Sequence, residues 1–344
     1  MNLKSKCSKG DEYGMQTVTE KQRILDRSVV LAALMIPAAV DYGFRIVMLC
    51  AAAASVSMLT ELICLYLRHD PFRLRHLDAA VTGVILTMLM PPTVPLSLLM
   101  ISCIFAIIIG RQVFGGKDRP LFPPAAVGFC FAFLNQKLAV QTYPAEKCII
   151  PLFDPEKIET VSGLTDLWNH SSDFRARFSD VLLGVPHLPI GTGSLLLLLT
   201  AALVLIFRRS ARAWTLLPML GVIVSGNLIM TWYHNPMPVV YASLLTNQSI
   251  FAVMFLFSDP DYAPPGIFGA LYGVFCGLLC VLMTRMLFIA DAPVILSVLL
   301  APLAYYLRSL IEQAKQQNET AEGGVQPDEA SENKPADPQQ SPAQ

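Results

Sequence analysis

The chain has 344 residues, of which 54% are hydrophobic and 15% charged. A soluble domain of ordinary make-up carries about 25% charged residues, so a single core wrapped in a solvated surface is excluded. The net charge of −1 gives no argument for nucleic acid or any other polyanion as a partner.

In chain order, residues 1–27 form a polar tail of mixed charge, with Lys4, Lys6, Lys9, Asp11 and Glu12. Ten apolar segments follow, at about 28–40, 44–67, 77–92, 94–110, 124–140, 193–207, 214–231, 236–257, 265–289 and 293–311. The first lies too far from the start, and lacks the small-residue cleavage site, for a signal peptide, and is expected as a retained span. Roughly 20 helical residues cross a ~30 Å hydrocarbon core, so the pattern predicts an all-α integral membrane protein of about ten transmembrane helices. Segments 28–40, 77–92 and 193–207 are short, and the third closes on Pro91 and Pro92. Short or Pro-broken segments are tilted spans, spans with displaced ends, or half-helices lining a buried site.

Charge sets the expected orientation. Lys21, Arg23 and Arg27 precede the first span, Arg68, Arg73 and Arg75 fill the second connection, Arg111, Lys117 and Arg119 the fourth, and Arg208, Arg209 and Arg212 the sixth. By the positive-inside bias, both termini and the even connections face the cytoplasm. The eighth connection, 258–264, has no Lys or Arg and follows its neighbours.

Five spans, within 28–140, precede a long fifth connection at 141–192, and five follow it within 193–313. An odd number per half allows an inverted repeat. The long connection carries seven acidic and four basic residues, is expected outside, and with Trp168, Phe174 and Phe178 is expected to be partly packed. Residues 314–344, rich in Gln, Pro, Glu, Asp and Ala, read as a disordered acidic tail.

No phosphate loop, metal cluster or nucleophile–base triad stands out, and the eight cysteines lie mostly in apolar runs, where a thiol packs as a small hydrophobe. Cys276 and Cys280 share a helix face, but two thiols do not complete a metal site. The five histidines sit at span ends or in the long connection, as headgroup or capping residues. Glu61 and Arg285 lie inside apolar runs, where charge is costly unless paired or hydrated.

Four stretches carry a resemblance. Asp78-Ala79-Ala80-Val81-Thr82-Gly83 opens the run that ends at Met90-Pro91-Pro92. Gly110-Arg111-Gln112-Val113-Phe114-Gly115-Gly116 is followed by Phe122-Pro123-Pro124-Ala125. Val161-Ser162-Gly163-Leu164-Thr165 stands in the long connection, and Phe257-Ser258-Asp259-Pro260 near the end. In this order and spacing, over about 28–311, the chain resembles the NqrB/RnfD family, membrane subunits of the Na⁺-pumping quinone reductase and of the Rnf electron-transport complex. Its length and single long outer connection are more similar to the RnfD side.

The resemblance implies a ten-span flavoprotein of the bacterial cytoplasmic membrane. FMN would be joined by a phosphoester to Thr165, within a motif that also contains Ser162 and Gly163. A second, noncovalent flavin, riboflavin, is implied as well, together with an ion or cofactor path bordered by Glu61, Asp78, Thr82 and Asp259. No metal is implied. The implied partners are an extracytoplasmic FMN subunit, six-span membrane subunits and a maturing flavin transferase.

The chain departs from the family pattern at several positions. Leu164 replaces alanine before the threonine, Asp166 replaces the proline after it, and Glu159 replaces aspartate. Lys117-Asp118-Arg119 interrupts the motif after the glycine pair, and Gly191-Thr192 stands where Gly-Glu is usual. Two other readings stay open: a solute or ion transporter built from inverted five-span repeats, and a structural subunit that has lost its flavin.

Overall fold

The computed structural model describes residues 20–116, 120–152, 158–165, 187–230, 243–244, 248–289 and 291–323. Trp168, Phe174, Phe178, Asp166, Lys117 to Arg119, the first 19 residues, residues 236–242 and 245–247 of the eighth apolar segment and the tail beyond residue 323 lie outside them. The described chain is helical apart from one short ribbon. Its helices are α1 (Glu20–Tyr42), α2 (Arg45–Arg68), α3 (Asp78–Leu89), α4 (Leu96–Ile107), α5 (Pro124–Asn135) and α6 (Lys137–Gln141), then α7 (Leu195–Phe207), α8 (Ala213–Met230), α9 (Ser249–Ala252), α10 (Gly266–Met286), α11 (Ala292–Leu299) and α12 (Ala301–Gly323). Three of these, α2, α8 and α10, are long and apolar enough to cross a membrane alone; α11 and α12 reach that length only together, across a 47° bend that fits a broken span or a re-entrant loop.

Two boundaries differ from the sequence reading. The first helix begins at Glu20, so residues 20–27 are its first two turns rather than part of a tail. The run Glu20-Lys21-Gln22-Arg23-Ile24-Leu25 consists mainly of good helix formers, and Arg23 and, just beyond it, Arg27 are paired within the protein. At the other end α12 continues to Gly323, well into the stretch read as disordered, because Gln, Ala, Lys and Glu dominate there.

Small residues set the helix spacing. Lipid tails are as apolar as leucine, so membrane helices associate through close packing at small side chains. On α10, Gly269, Gly273 and Gly277 recur every fourth residue and face α8. A Cβ on Gly273 would stand 2.6 Å from Thr215 O, and one on Gly277 2.9 Å from Met219 O. On α3, a Cβ on Gly83 would stand 2.5 Å from Ala53 O of α2. Twelve-residue α3 is about 18 Å long at 1.5 Å per residue, well short of a bilayer core. Nearly all of its residues are buried.

The connections sort into two groups by contact. At one end, Arg23 and Arg27 of α1 meet Asp261 and Asp259, Arg208 meets Asp26, Arg111 meets Asp78, and Arg308 of α12 donates to Asp261 O. Thus the first helix's start, the last helix, and the second, fourth, sixth and eighth connections share one end. The first, third, fifth and ninth connections share the other. Ile150 N donates to Tyr42 O, Ile190 N to Met90 O, and Thr93 Oγ1 to Thr142 O.

One arginine holds that second end. Arg45, 1% exposed, donates from Nε to Pro92 O at 3.1 Å and from Nη2 to Val94 O at 2.8 Å. Its Nη1 donates to Pro151 O and Leu152 O. Donors spread over a rigid planar fork suit guanidinium and not ammonium. Arg45 therefore ties the long connection to the Pro91–Val94 turn.

Replacing Arg45 with Met leaves those carbonyls without donors. We expect a loss of about 2–4 kcal/mol, with Arg45→Lys intermediate. A thiol-reactive dye reading the exposure of buried Cys50, Cys103, Cys276 and Cys280 during heating measures it.

Candidate functional site

The residues singled out in the sequence fall into two clusters, one at each end. The first is built on the long connection. Strand β1 (Thr142–Pro144) pairs antiparallel with β2 (Thr160–Ser162), placing Thr142 opposite Ser162 and Tyr143 opposite Val161. This ribbon had no signal in the hydropathy pattern. Its register is continued by Gly163 N donating to Gln141 O at 3.2 Å and Leu164 N donating to His187 O at 3.1 Å. His187 Nε2 lies 2.9 Å from Ala145 O.

The ribbon and α6 enclose a cavity of about 280 Å³, whose wall includes Lys137, Tyr143, Thr165, His187, Gln248 and Asp291. Thr165 sits on this wall at 8% exposure, next to Leu164 at 7%. Ser162 is exposed, and Gly163 is buried. The need for glycine at 163 is steric: a Cβ there would stand 2.7 Å from Tyr143 Cε2. The turn is therefore pressed against an aromatic ring, with the hydroxyl-bearing residue on the cavity side.

Whether these residues fit an esterified phosphate can be read from the donor set. Lys137 supplies an ammonium and His187 an imidazole to the same cavity as Thr165, and Leu138, Leu164 and Leu188 supply apolar wall. A charged phosphate ester needs cations or N–H donors around it, and the wall has them. The fit is good.

Sequence reasoning missed Gln248 and Asp291 altogether. Gln248 precedes α9 and Asp291 precedes α11, on turns with φ of 55° and 59°, and their partners lie in distant parts of the chain.

The second cluster gathers Glu61, Asp78 and Asp259. Glu61 is buried on α2 about 24 Å along the helix from Arg45. Its Oε1 lies 2.9 Å from His76 Nδ1, and its Oε2 accepts from Gln112 Nε2 at 2.6 Å. Arg111 bridges Glu61 at 3.7 Å and Asp78 at 3.6 Å. Arg27 then bridges Asp78 at 3.7 Å and Asp259 at 2.5 Å.

The chain of alternating charge is thus Glu61, Arg111, Asp78, Arg27, Asp259, drawn from α2, the turn after α4, α3, α1 and the eighth connection. Two π-helical turns, Ile108–Gln112 and Val253–Phe257, deliver Arg111 and Asp259 to it. Burial pushes the Asp259 carboxyl above its ordinary range, and the Arg27 guanidinium pulls against that. Thr82 does not join the cluster through the bond it makes to its own helix, Oγ1 to Asp78 O at 2.9 Å. Arg285 stands elsewhere, its Nε donating to Asn227 Oδ1 at 2.9 Å.

Comparison with known proteins places these clusters in context. The profile of the NQR2, RnfD, RnfE family matches residues 13–319. A relative from Ectopseudomonas mendocina, the D subunit of an ion-translocating oxidoreductase complex, is 31% identical over 120 residues, covering 34% of this chain and 35% of that protein. The B subunit of the Na⁺-translocating NADH-quinone reductase from Klebsiella pneumoniae is 28% identical over 222 residues, covering 59% of this chain and 51% of its own length. The D subunit of an ion-translocating oxidoreductase complex from Haemophilus ducreyi is 33% identical over 108 residues, covering 31% of each chain. The matched region thus spans about a third to a half of the curated relatives.

Removing one member of a buried ion pair strands the other. Arg27→Met is expected to cost about 3–5 kcal/mol. The double variant Arg27→Met/Asp259→Asn should recover most of that loss, because neither charge is then left alone. A double-mutant cycle on SDS-driven unfolding in mixed micelles gives the coupling directly, and simple additivity would show that the pair does not interact.

Proposed function

The chain belongs to the NQR2, RnfD, RnfE family, and from that membership we propose that it is the membrane subunit of an Rnf-type, ion-translocating electron-transport complex, carrying FMN as a phosphoester on Thr165. The observation that carries this reading is the placement of Thr165 on the wall of a cavity of about 280 Å³ that also presents Lys137 and His187. Relatives are named as subunits of ion-translocating oxidoreductases, which supports the redox class.

Bound flavin would supply one- and two-electron redox chemistry, and the protein's part is to hold, orient and electrostatically tune it. Lys137 and His187 would neutralise the phosphate. Tyr143 and Gly163 would fix the turn that presents the hydroxyl, and Leu138, Leu164 and Leu188 would keep water from the attachment point. The cluster of Glu61, Asp78 and Asp259 at the opposite end would border the path of Na⁺ or H⁺, with Thr82 one turn along α3.

In this reading the cavity end faces outward, as the charge alternation along the sequence requires, and the arginine-rich end faces the cytoplasm of a bacterial cell. An extracytoplasmic flavin subunit would hand electrons to the cavity end. Six-span membrane subunits would lie alongside, a flavin transferase would mature the protein, and a noncovalent riboflavin would serve as a second carrier.

The burial of Thr165 and the acidic residue after it favour a second reading, a subunit that works without flavin. Attachment requires the 161–165 turn to open for the transferase, since an 8% exposed residue offers it little.

Co-expression with a flavin transferase separates the two. The first reading predicts a band fluorescent under ultraviolet light after denaturing electrophoresis, with the matching mass increase on the intact chain. Thr165→Ala abolishes both signals, and Thr165→Ser retains them in part. A dark, unmodified wild-type band leaves the flavin-free subunit.

A further inference from the structure

The cavity beside Thr165 has a floor that flavin attachment does not use. Gln248 is 1% exposed and Asp291 is 5% exposed. Gln248 Nε2 donates to Leu89 O, at the C-terminal end of α3, and to Asp291 Oδ1, each at 3.0 Å. Both partners of that nitrogen are acceptors, so the amide cannot be turned over: the reversed group would set its oxygen against a carbonyl and a carboxylate. Gln248 Oε1 is thereby fixed as an acceptor, and it is buried without a hydrogen-bond partner among the described residues.

Two costs meet at one place. A buried acceptor lacks a donor, and a buried carboxylate carries charge away from water. A proton on the carboxyl removes the charge and, on the oxygen turned to Gln248 Oε1, would supply the missing donor. A carboxylic acid and a primary amide satisfy each other reciprocally, the amide N–H donating to one acid oxygen while the acid O–H donates to the amide oxygen. Half of that arrangement is already in place at Gln248 Nε2.

We propose that Asp291 and Gln248 form a proton-binding site on the floor of this cavity, exchanging with water at the Lys137 and His187 side. The step adds one H⁺ to the carboxylate and moves no electrons. Among the described residues, the charged and titratable groups around it are Tyr143 on β1 and, on the cavity wall, Lys137 and His187, while Gln141 and Gln248 are neutral. Burial raises the Asp291 carboxyl to about 6, against hydrogen bonds from Gln248 and Gln141 that lower it. Tyr143, pushed well above its ordinary range by burial and then by the charge of Asp291, stays protonated beside it.

The site does not depend on flavin, so its test uses the full-length chain expressed without a flavin transferase. A failure here then leaves the Thr165 reading untouched. In pH-difference infrared spectra, the C=O stretch of a buried protonated carboxyl should appear as pH falls through about 6 and be missing from Asp291→Asn. In Gln248→Leu the band should persist at higher wavenumber, the acid having lost its amide partner.

Thermal stability gives a second readout. A carboxyl whose folded pKa is raised stabilises fully below its unfolded value, about 3.9, and loses that contribution as pH rises through the folded one. The wild-type melting temperature should therefore fall relative to Asp291→Asn between about pH 4 and 7. Should Asp291→Asn fail to fold, the band shift in Gln248→Leu carries the test. Spectra without a carboxyl band removed or shifted by either variant, or melting profiles that run parallel, overturn the proposal. So does a wild type stabilised by Na⁺ at fixed pH through Asp291, which makes the floor a metal-cation site.

Discussion

The structure depends on a single constraint: a charge buried away from water must find its counter-charge inside the protein. Arg27 meets it for two carboxylates at once. Asp78 begins α3 in the first half of the chain and Asp259 ends the eighth apolar segment in the second, and the same guanidinium lies within 3.7 Å and 2.5 Å of them. Burying two charges is repaid only by good geometry and further hydrogen bonds. The extra bond is present, since Asp261 N donates to Asp259 Oδ1 at 3.0 Å. The first two turns of α1 therefore close the contact between the two halves.

That role explains why the sequence misled at the start of α1. Hydropathy begins a span where charge ends, so residues 20–27 read as a tail, with Arg23 and Arg27 counted only as orientation markers. Asp261 and Asp259, which they meet, lie more than 230 positions away, a separation no local pattern reports. The alternation of basic and neutral connections, by contrast, depends only on counting, and the contacts among connections reproduce its grouping. The glycine stripe on α10 also carries its own signal in a four-residue spacing. Asp291 and Gln248 carried none, being single polar residues at turns that become meaningful only when the fold brings them together beside Leu89 O. At the far end, tail composition was weighed as low hydrophobicity, although the same residues are strong helix formers.

The long connection shows how an irregular segment is given fixed geometry without a core of its own. Its described parts are held at both margins by the scaffold. Lys147 pairs with Asp41 at 2.6 Å, Ile150 hangs on Tyr42, and Arg45 collects Pro151 and Leu152 together with the Pro91–Val94 turn. The β-ribbon then only has to span the gap to Thr165. A residue on a loop anchored this way can be placed accurately, and placement is most of what a protein contributes to a bound redox group.

The two clusters are joined by continuous structure. Helix α3 has Asp78 at its start, inside the acidic cluster, and Leu89 at its end, bonded to Gln248 on the cavity floor. The segment from Gln248 through α9 and its π-helical turn runs to Ser258 and Asp259, back to the same acidic cluster. Two short elements, antiparallel in sequence direction, thus each have one end in either site. Gly83 fixes α3 against α2 at backbone contact distance, so α3 cannot slide without carrying α2 along. A displacement of α3 or of the Gln248–Phe257 segment at the cavity end would have a continuous backbone route to Arg27 and Asp259. Continuity of this kind is the geometric precondition of coupling. Coupling itself requires that both ends favour different arrangements of the same element, and the Arg27 bridge, made of one cation between two anions, is the contact whose balance such a shift would alter first.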